Sequence, residues 1–211
     1  MATVASPRSK REAIVTAATH QFAEHGYDLT KWADVAEAVG VGQTALYHYF
    51  ASKAHCLFTI MAEALRDYRD YFEAARREHA DPVEAIRTAI GYIFELDETG
   101  VLRFRVLQAE ISWLDKDFPG SRQERATLAE ARAYARDLNR DWTRFFDQGM
   151  RDGHFPAQDP YLLAHDVLGM STSIFQWYRP DSEVSLEDLA ASVTRHVLAI
   201  VQHGHDTTTA T

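Results

Sequence analysis

The stretch REAIVTAATHQFAEHGYDLTKWADVAEAVGVGQTALYHYFASKAHCL, residues 11–57, decides the fold, because its pattern predicts three short helices in close succession. Ile14, Ala18 and Phe22 recur at the spacing that places apolar side chains on one face of the first helix. Gly40 is expected to end the second helix, since glycine adopts a left-handed conformation without steric cost. Two short helices joined by a turn that contains glycine form a helix-turn-helix, whose second helix fits the major groove of DNA.

The third predicted helix has one apolar and one polar side. Leu46 and Phe50 are expected to face the interior. On the other side, a glutamine amide can pair with adenine, and hydroxyl groups can contact phosphates or base edges. Polar outer residues are also typical of an ordinary solvated helical hairpin, so the spacing alone leaves both interpretations open. The candidate DNA contacts on the polar side are Gln43, Thr44, Tyr47 and His48.

The net charge of −9 is unevenly distributed along the 211 residues. Residues 1–55 carry five Lys/Arg and five Asp/Glu, so the excess acid belongs entirely to residues 56–211. A neutral N-terminal part can still bind DNA, because phosphate contacts are local. Cys56 is the single cysteine, which excludes an internal disulfide and favours the reducing cytoplasm. No apolar run approaches the roughly 18 residues that span a bilayer, so we expect no membrane segment.

Helical patterns cover most of the chain, and no stretch alternates with the period of a strand. Asp81-Pro82 and Asp159-Pro160 each combine a capping carboxylate with proline at the first helical position. Gly100 is expected to mark a helix end. We therefore expect an all-α fold of nine helices, near residues 8–25, 32–38, 43–49, 52–79, 82–97, 101–115, 121–151, 159–178 and 185–202.

The helix lengths predict two domains. Residues 8–52 form short helices and are expected to be a helix-turn-helix DNA-binding domain. Residues 53–203 form longer helices and are expected to bind a ligand and to dimerise. The polar, non-periodic ends at 1–7 and 204–211 are expected to be disordered.

The eighth predicted helix is apolar on two sides, and the ninth carries one apolar stripe. These apolar faces are all covered if the two helices pack against the same pair of helices in a second subunit, which makes a two-fold four-helix interface. The alternative is that the double stripe belongs to an internal core helix. The predicted homodimer interface consists of Leu163, Val167, Met170, Ile174, Leu189, Val193, Val197 and Ile200.

Aromatic residues and methionines are plentiful between the fourth and eighth predicted helices. Such side chains line adaptable apolar pockets, although any one of them more often fills a core. As a group they predict a cavity for a small apolar effector. Its candidate lining is Met61, Tyr68, Phe72, Phe104, Trp113, Trp142, Phe146, Met150 and Phe175.

The sequence contains none of the motifs that indicate common enzymes. A Gly-rich phosphate loop, HExxH, GxSxG and a paired Cys/His ligand set are all missing. We therefore expect no enzyme activity, no cofactor and no metal site. A non-enzymatic helical protein-interaction adaptor, which would not bind DNA in a salt-dependent way, is the alternative to a DNA-binding regulator.

The N-terminal stretch resembles the tetracycline-repressor (TetR) family of bacterial regulators. The shared pattern is Phe-x-x-x-Gly-Tyr at 22–27, Val-Ala at 35–36, Gly-Val at 40–41, Leu-Tyr-x-Tyr-Phe at 46–50 and lysine at 53. The resemblance implies that Tyr47 and Lys53 contact phosphates, with Thr44 nearby, and that Gln43 and His48 reach bases. It also implies that Thr30 caps the second helix or touches backbone. Gly42 departs from the serine that is frequent in the family.

The resemblance implies a repressor that is released from a palindromic operator by a small apolar effector. Its partners would be double-stranded DNA with an inverted repeat, the effector and a second copy of the chain. The sequence Trp-Tyr-Arg-Pro at 177–180 resembles the corresponding stretch of TetR-type regulators of lipid and acyl-CoA breakdown. It therefore points to an acyl-CoA or a lipid-like molecule as the effector.

Overall fold

A computed structural model of the chain describes residues 7–178 and 183–204, and all regular structure in these ranges is helical. A single 3₁₀ turn, Ile111–Leu114, follows α6. The helices are α1 Pro7–His25, α2 Trp32–Ala38, α3 Gln43–Leu46, α4 Lys53–Glu78, α5 Pro82–Phe94, α6 Glu98–Ala109, α7 Arg122–Arg151, α8 Pro160–Thr172, α9 Ile174–Trp177 and α10 Leu186–His203.

The nine predicted helical segments all have counterparts, but several of their bounds differ. The predicted eighth helix is divided into α8 and α9 at Ser173. The predicted third helix ends at Leu46 and continues as a turn. Gly100 lies inside α6 and does not end a helix, because the Asp97 carboxylate accepts a hydrogen bond of 2.7 Å from the Gly100 N–H and caps α6 earlier than expected.

Side-chain caps explain where several other helices begin. Asp81 accepts a hydrogen bond of 2.9 Å from the Val83 N–H at the start of α5. Asp159 does the same for the first turn of α8, and Ser185 for α10. Each cap satisfies a backbone N–H that has no partner within its own helix.

The described residues divide into two compact units. In the first, which comprises residues up to Arg66 and Asp97–Ala133, α1 packs against α2 and α6, and α2 packs against α3. Its core contains Ile14, Phe22, Val35, Leu46, Phe50, Phe58 and Leu128. The helix-turn-helix therefore shares a compact unit with α6 and the start of α7.

The second unit comprises Asp67–Leu96 and the residues from Tyr134 onward. Here α10 packs against α5 and α8, and α5 also contacts α8. Its core contains Phe72, Ile86, Ile90, Trp142, Phe146, Val167, Phe175 and Val197.

Two predictions concern the ends of the chain and membranes. Most of the expected disordered ends, at 1–6 and 205–211, lies outside the described residues, while Pro7 begins α1 and Gly204 follows α10. Within the described ranges, no helix is both long and apolar enough to span a bilayer.

Candidate nucleic-acid interface and ligand region

The turn between α2 and α3 has the geometry that the sequence predicted. Gly40 has a φ of +65°, the left-handed conformation that favours glycine. The Val41 N–H donates a hydrogen bond of 3.0 Å to the Ala36 carbonyl and closes the turn. Leu46 and Phe50 are fully buried, so they fix which side of α3 faces the core. No side chain caps α3 at Gly42, as expected from its lack of a hydroxyl.

The four predicted DNA contacts lie on the exposed side of α3 and of the turn that follows it, and this surface is called the reading face. Tyr47 is 52% exposed, and its phenol projects from a segment whose other side is buried. The face is rich in hydrogen-bonding groups, as base edges and phosphates require. Its exposed members are Gln43, Thr44, Tyr47 and His48.

Thr30 does not cap α2. Its side chain is only 3% exposed, and its hydroxyl donates hydrogen bonds to the carbonyls of Gln21 (3.0 Å) and Gly26 (2.8 Å). The N-cap of α2 is Lys31, which makes no side-chain capping bond. Thr30 therefore secures the end of α1 and is too buried to contact DNA with its side chain.

Lys53 binds the loop between α1 and α2. Its Nζ donates to the carbonyls of Tyr27 (2.6 Å), Thr30 (2.8 Å) and Asp28 (3.4 Å), and it lies 4.2 Å from the centre of the Tyr27 ring. Burial lowers the pKa of Lys53, although Asp28 and Glu110 oppose the shift. Burial, with Asp28, also raises the pKa of Tyr27 to about 12, so its phenol stays neutral. These contacts occupy the ammonium that the resemblance assigned to a phosphate.

A hydrogen-bond network that sequence reasoning missed joins the start of α4 to the start of α7. The Ser52 hydroxyl donates to Glu124, and the Ser121 N–H donates to the same carboxylate at 2.6 Å. The Glu124 N–H in turn donates to Ser121 Oγ at 3.3 Å, which completes a capping box. Glu124 is 7% exposed; burial opposes its ionisation, but the hydrogen bonds outweigh burial and hold its pKa below the usual range. The Ser-x-x-Glu spacing at 121–124 was the available sequence signal.

The predicted effector lining is divided between the two units. Met61, Phe104 and Trp113 belong to the first unit, and the others belong to the second. In the second unit, the rings of Phe72 and Trp142 stack with their centres 3.9 Å apart and their planes nearly parallel. The members in the second unit are Tyr68, Phe72, Trp142, Phe146, Met150 and Phe175.

Two surface grooves have other linings. One, of about 550 Å³, lies in the second unit and includes Arg87 and Arg195. The other, of about 470 Å³, lies in the first unit and includes Arg125 and Leu128. None of the nine predicted residues lines either groove, so the effector site stays a prediction.

The predicted dimer stripe is mostly core. Leu163, Val167, Ile174, Leu189 and Val197 are already buried within a single chain. Met170, Val193 and Ile200 are half-buried. Burial within one chain favours the alternative of an internal core helix for these five positions, and the subunit interface itself stays a prediction. The large apolar side chains that α8 and α9 leave exposed are Tyr161, Leu162 and Trp177.

Two further predictions concern metals and residues 177–180. Among the described residues, no three His, Cys, Asp or Glu side chains form a group that could hold a metal ion. The stretch that resembles lipid regulators lies partly outside the described residues, which include Trp177 and Tyr178 but not the next two positions.

Comparison with known families assigns the chain. The model of the N-terminal domain of bacterial regulatory proteins of the tetR family matches residues 14–60. The model of the tetracycline-repressor-like C-terminal domain matches residues 79–201, more than half of the chain. The chain belongs to the tetracycline-repressor family of bacterial regulatory proteins. This membership confirms the predicted fold class and the prediction of a regulator, not an enzyme.

Individual relatives agree with this assignment. The transcriptional repressor KstR2 of Mycolicibacterium smegmatis is 27% identical over 207 residues, which cover 96% of this chain and 93% of the relative. The solved structure of the ketosteroid transcriptional regulator KstR2 of Mycobacterium tuberculosis has a TM-score of 0.73 at 24% identity and covers 94% of both chains. AibR, solved in complex with isovaleryl coenzyme A and operator DNA, has a TM-score of 0.70 at 23% identity and covers 89% of this chain and 97% of its own.

Proposed function

We propose that the protein is a dimeric repressor that binds an inverted-repeat operator through α3 and releases it when a small apolar effector binds. The observation that carries the proposal is the exposed polar face of α3, which the buried Leu46 and Phe50 hold in a fixed orientation. Operator binding places the site of action in the cytoplasm, where the DNA is. The family membership favours this function over a protein-interaction adaptor.

The proposed docking uses two kinds of contact. Tyr47 is a rigid, exposed hydroxyl suited to a phosphate, and Gln43 is the amide best suited to pair with adenine in the major groove. Thr44 and His48 lie on the same exposed side and add further contacts. Lys53 supports the interface indirectly, because its ammonium already holds the loop that leads into α2.

Selection from a pool of random duplexes, followed by sequencing, tests the DNA-binding step. We expect an inverted repeat whose half-sites lie about one helical turn apart, or a multiple of it. Tyr47→Phe should weaken binding to all sequences about tenfold or more, the effect of one lost hydrogen bond to a charged phosphate. Gln43→Ala should relax base preference at one position of each half-site.

Tyr71→Phe is the matched control, because Tyr71 is partly exposed but lies on α4 in the second unit, away from α3 in the chain. It should leave operator affinity unchanged. Full operator affinity and unaltered base preference in both Tyr47→Phe and Gln43→Ala would contradict this docking.

The proposed homodimer uses the exposed sides of α8 and α9. Tyr161, Leu162 and Trp177 are each more than half exposed, and such large apolar side chains are favourably covered by a second copy. A two-fold dimer also matches an operator with two equivalent half-sites.

The proposed effector is an apolar molecule that carries a carbonyl group. Two similar proteins support this class. One is named a ketosteroid transcriptional regulator, and the other was solved in complex with isovaleryl coenzyme A, which is a thioester. A ketosteroid and the isovaleryl group of the thioester each combine an apolar part with a carbonyl oxygen. An acyl-CoA or a lipid-like ketone is therefore the first class to test, by its ability to raise Tm and to release the selected operator.

A further inference from the structure

Trp142 on α7 carries a buried polar group that has no partner in the part of the chain that the structure describes. Its side chain is 0% exposed, and its indole Nε1 has no hydrogen-bond partner among the described residues. An indole N–H can only donate. Because buried polar groups are nearly always paired, an unpaired donor at this depth requires an explanation.

The surroundings of this donor are aromatic. The Trp142 ring stacks on Phe72 and lies 5.4 Å from Phe146 and 6.0 Å from Phe145, measured between ring centres. In so apolar an environment, an added hydrogen bond is stronger than it would be in water. The position therefore favours a molecule that brings an acceptor oxygen on an apolar body.

A second polar atom on α7 is also unsatisfied. Asn139 lies one turn before Trp142, and its Oδ1 has no donor within hydrogen-bond distance in the described residues, although its Nδ2 lies 3.5 Å from the Ala135 carbonyl. Residues three apart share one side of a helix. A donor and an acceptor on the same side of α7 thus lack hydrogen-bond partners within residues 7–178 and 183–204.

We infer that the Trp142 N–H donates a hydrogen bond to an oxygen atom of the effector, and that this contact selects carbonyl compounds over hydrocarbons of the same shape. The inference rests on the proposed function for the existence of an effector. It adds the residue that recognises the effector's oxygen and the chemical feature that is recognised. Phe72 and Phe146 supply apolar contacts beside this residue.

A matched pair of probes tests the contact. The affinities of 1-tetralone, a ketone, and tetralin, the corresponding hydrocarbon, are measured by equilibrium dialysis with the full-length protein. In Trp142→Phe, the ratio of ketone affinity to hydrocarbon affinity should fall about tenfold, which corresponds to ~1.4 kcal/mol. Trp142→Phe also weakens ring packing, but this loss affects both probes equally and therefore cancels in the ratio of their affinities.

Trp32→Phe is the control variant. Trp32 is also buried with an unpaired Nε1, but it lies on α2 in the first unit. Its replacement removes the same chemical group and should leave the ratio unchanged. A second measurement needs no variant at position 142: in protein labelled with ¹⁵N-tryptophan, one of the four indole N–H signals should move downfield with the ketone and not with the hydrocarbon.

An unchanged ratio in Trp142→Phe would overturn the inference and indicate that water satisfies the indole. Failure of both probes to bind, or the absence of a ketone-specific indole shift, would overturn it as well. The proposed function fails by a different result, namely the lack of operator binding in the ligand-free wild-type protein, which the dialysis measurement does not involve.

Discussion

Replacing Lys53 by methionine tests whether this lysine supports the DNA-binding surface from within. The substitution keeps most of the side-chain volume but removes the ammonium that donates to the carbonyls of Tyr27, Asp28 and Thr30. A hydrogen bond to a charged group contributes about 1.5–3 kcal/mol to stability. Burial lowers the pKa of Lys53, so desolvation of the ammonium offsets part of this gain. Water can also reach part of the site, and we expect a net loss of about 2 kcal/mol in the free energy of unfolding.

Thermal unfolding followed by circular dichroism measures this loss. For a chain of this size, about 2 kcal/mol corresponds to a fall in Tm of roughly 4–8 °C. Lys31→Met is the control, because Lys31 is exposed and makes no side-chain cap at the start of α2. Its free energy of unfolding should stay within about 0.5 kcal/mol of the wild-type value.

The salt dependence of operator binding separates this role from a phosphate contact. If Lys53 only holds the loop, Lys53→Met binds more weakly but keeps the wild-type slope of log affinity against log salt. A direct phosphate contact would instead make the slope shallower by about 0.9 for each phosphate lost. A shallower slope with an unchanged Tm would refute the supporting role of Lys53.

Four further variants test other parts of the fold. Burial opposes ionisation of Glu124, but its hydrogen bonds outweigh burial and lower its pKa. The ionised carboxylate therefore stabilises the fold fully above the unfolded pKa of about 4.3, and this stabilisation is lost as the pH falls through the lower pKa of the folded state. The Tm difference between wild type and Glu124→Gln should therefore shrink between pH 7 and pH 3, and a constant difference would contradict this. Gly149→Ala should lower the free energy of unfolding, measured in urea, by about 1–3 kcal/mol, because the added Cβ would lie 2.5 Å from the Phe155 ring. Gly91→Ala is the control and should raise it by up to about 1 kcal/mol, because a Cβ at position 91 would meet open space. Leu162→Asp should give monomers in analytical ultracentrifugation, since Leu162 is 58% exposed on the proposed dimer face, and an unchanged dimer would exclude that face.

The sequence predicted those features that follow from local pattern. The spacing of Leu46 and Phe50 was sufficient to identify the exposed side of α3, because a helix with two buried positions has a defined outer face. Asp81 and Asp159 marked helix starts, since a capping carboxylate acts on the N–H groups of the next few residues.

Features that depend on distant parts of the chain were not predictable in this way. The partners of Lys53 are backbone carbonyls 23–26 residues earlier in the chain, and no side chain in the sequence indicates that these carbonyls accept its hydrogen bonds. The stripe that contains Leu163 and Val167 has the same spacing whether a second subunit or α5 and α10 cover it. A periodic pattern establishes that a face is buried, but it does not identify the covering surface.

The position of α3 depends on tertiary contacts, because a helix of four residues is too short to be stable alone. Its buried side is fixed by Leu46, and the chain that follows is held by the bond between Ser52 and Glu124. Glu124 and Trp142 both lie on α7, so the helix that is inferred to contact the effector also anchors the start of α4. An effector that prefers one position of α7 would therefore favour one position of the reading face. The change in operator affinity cannot exceed the effector's own difference in affinity for the two positions.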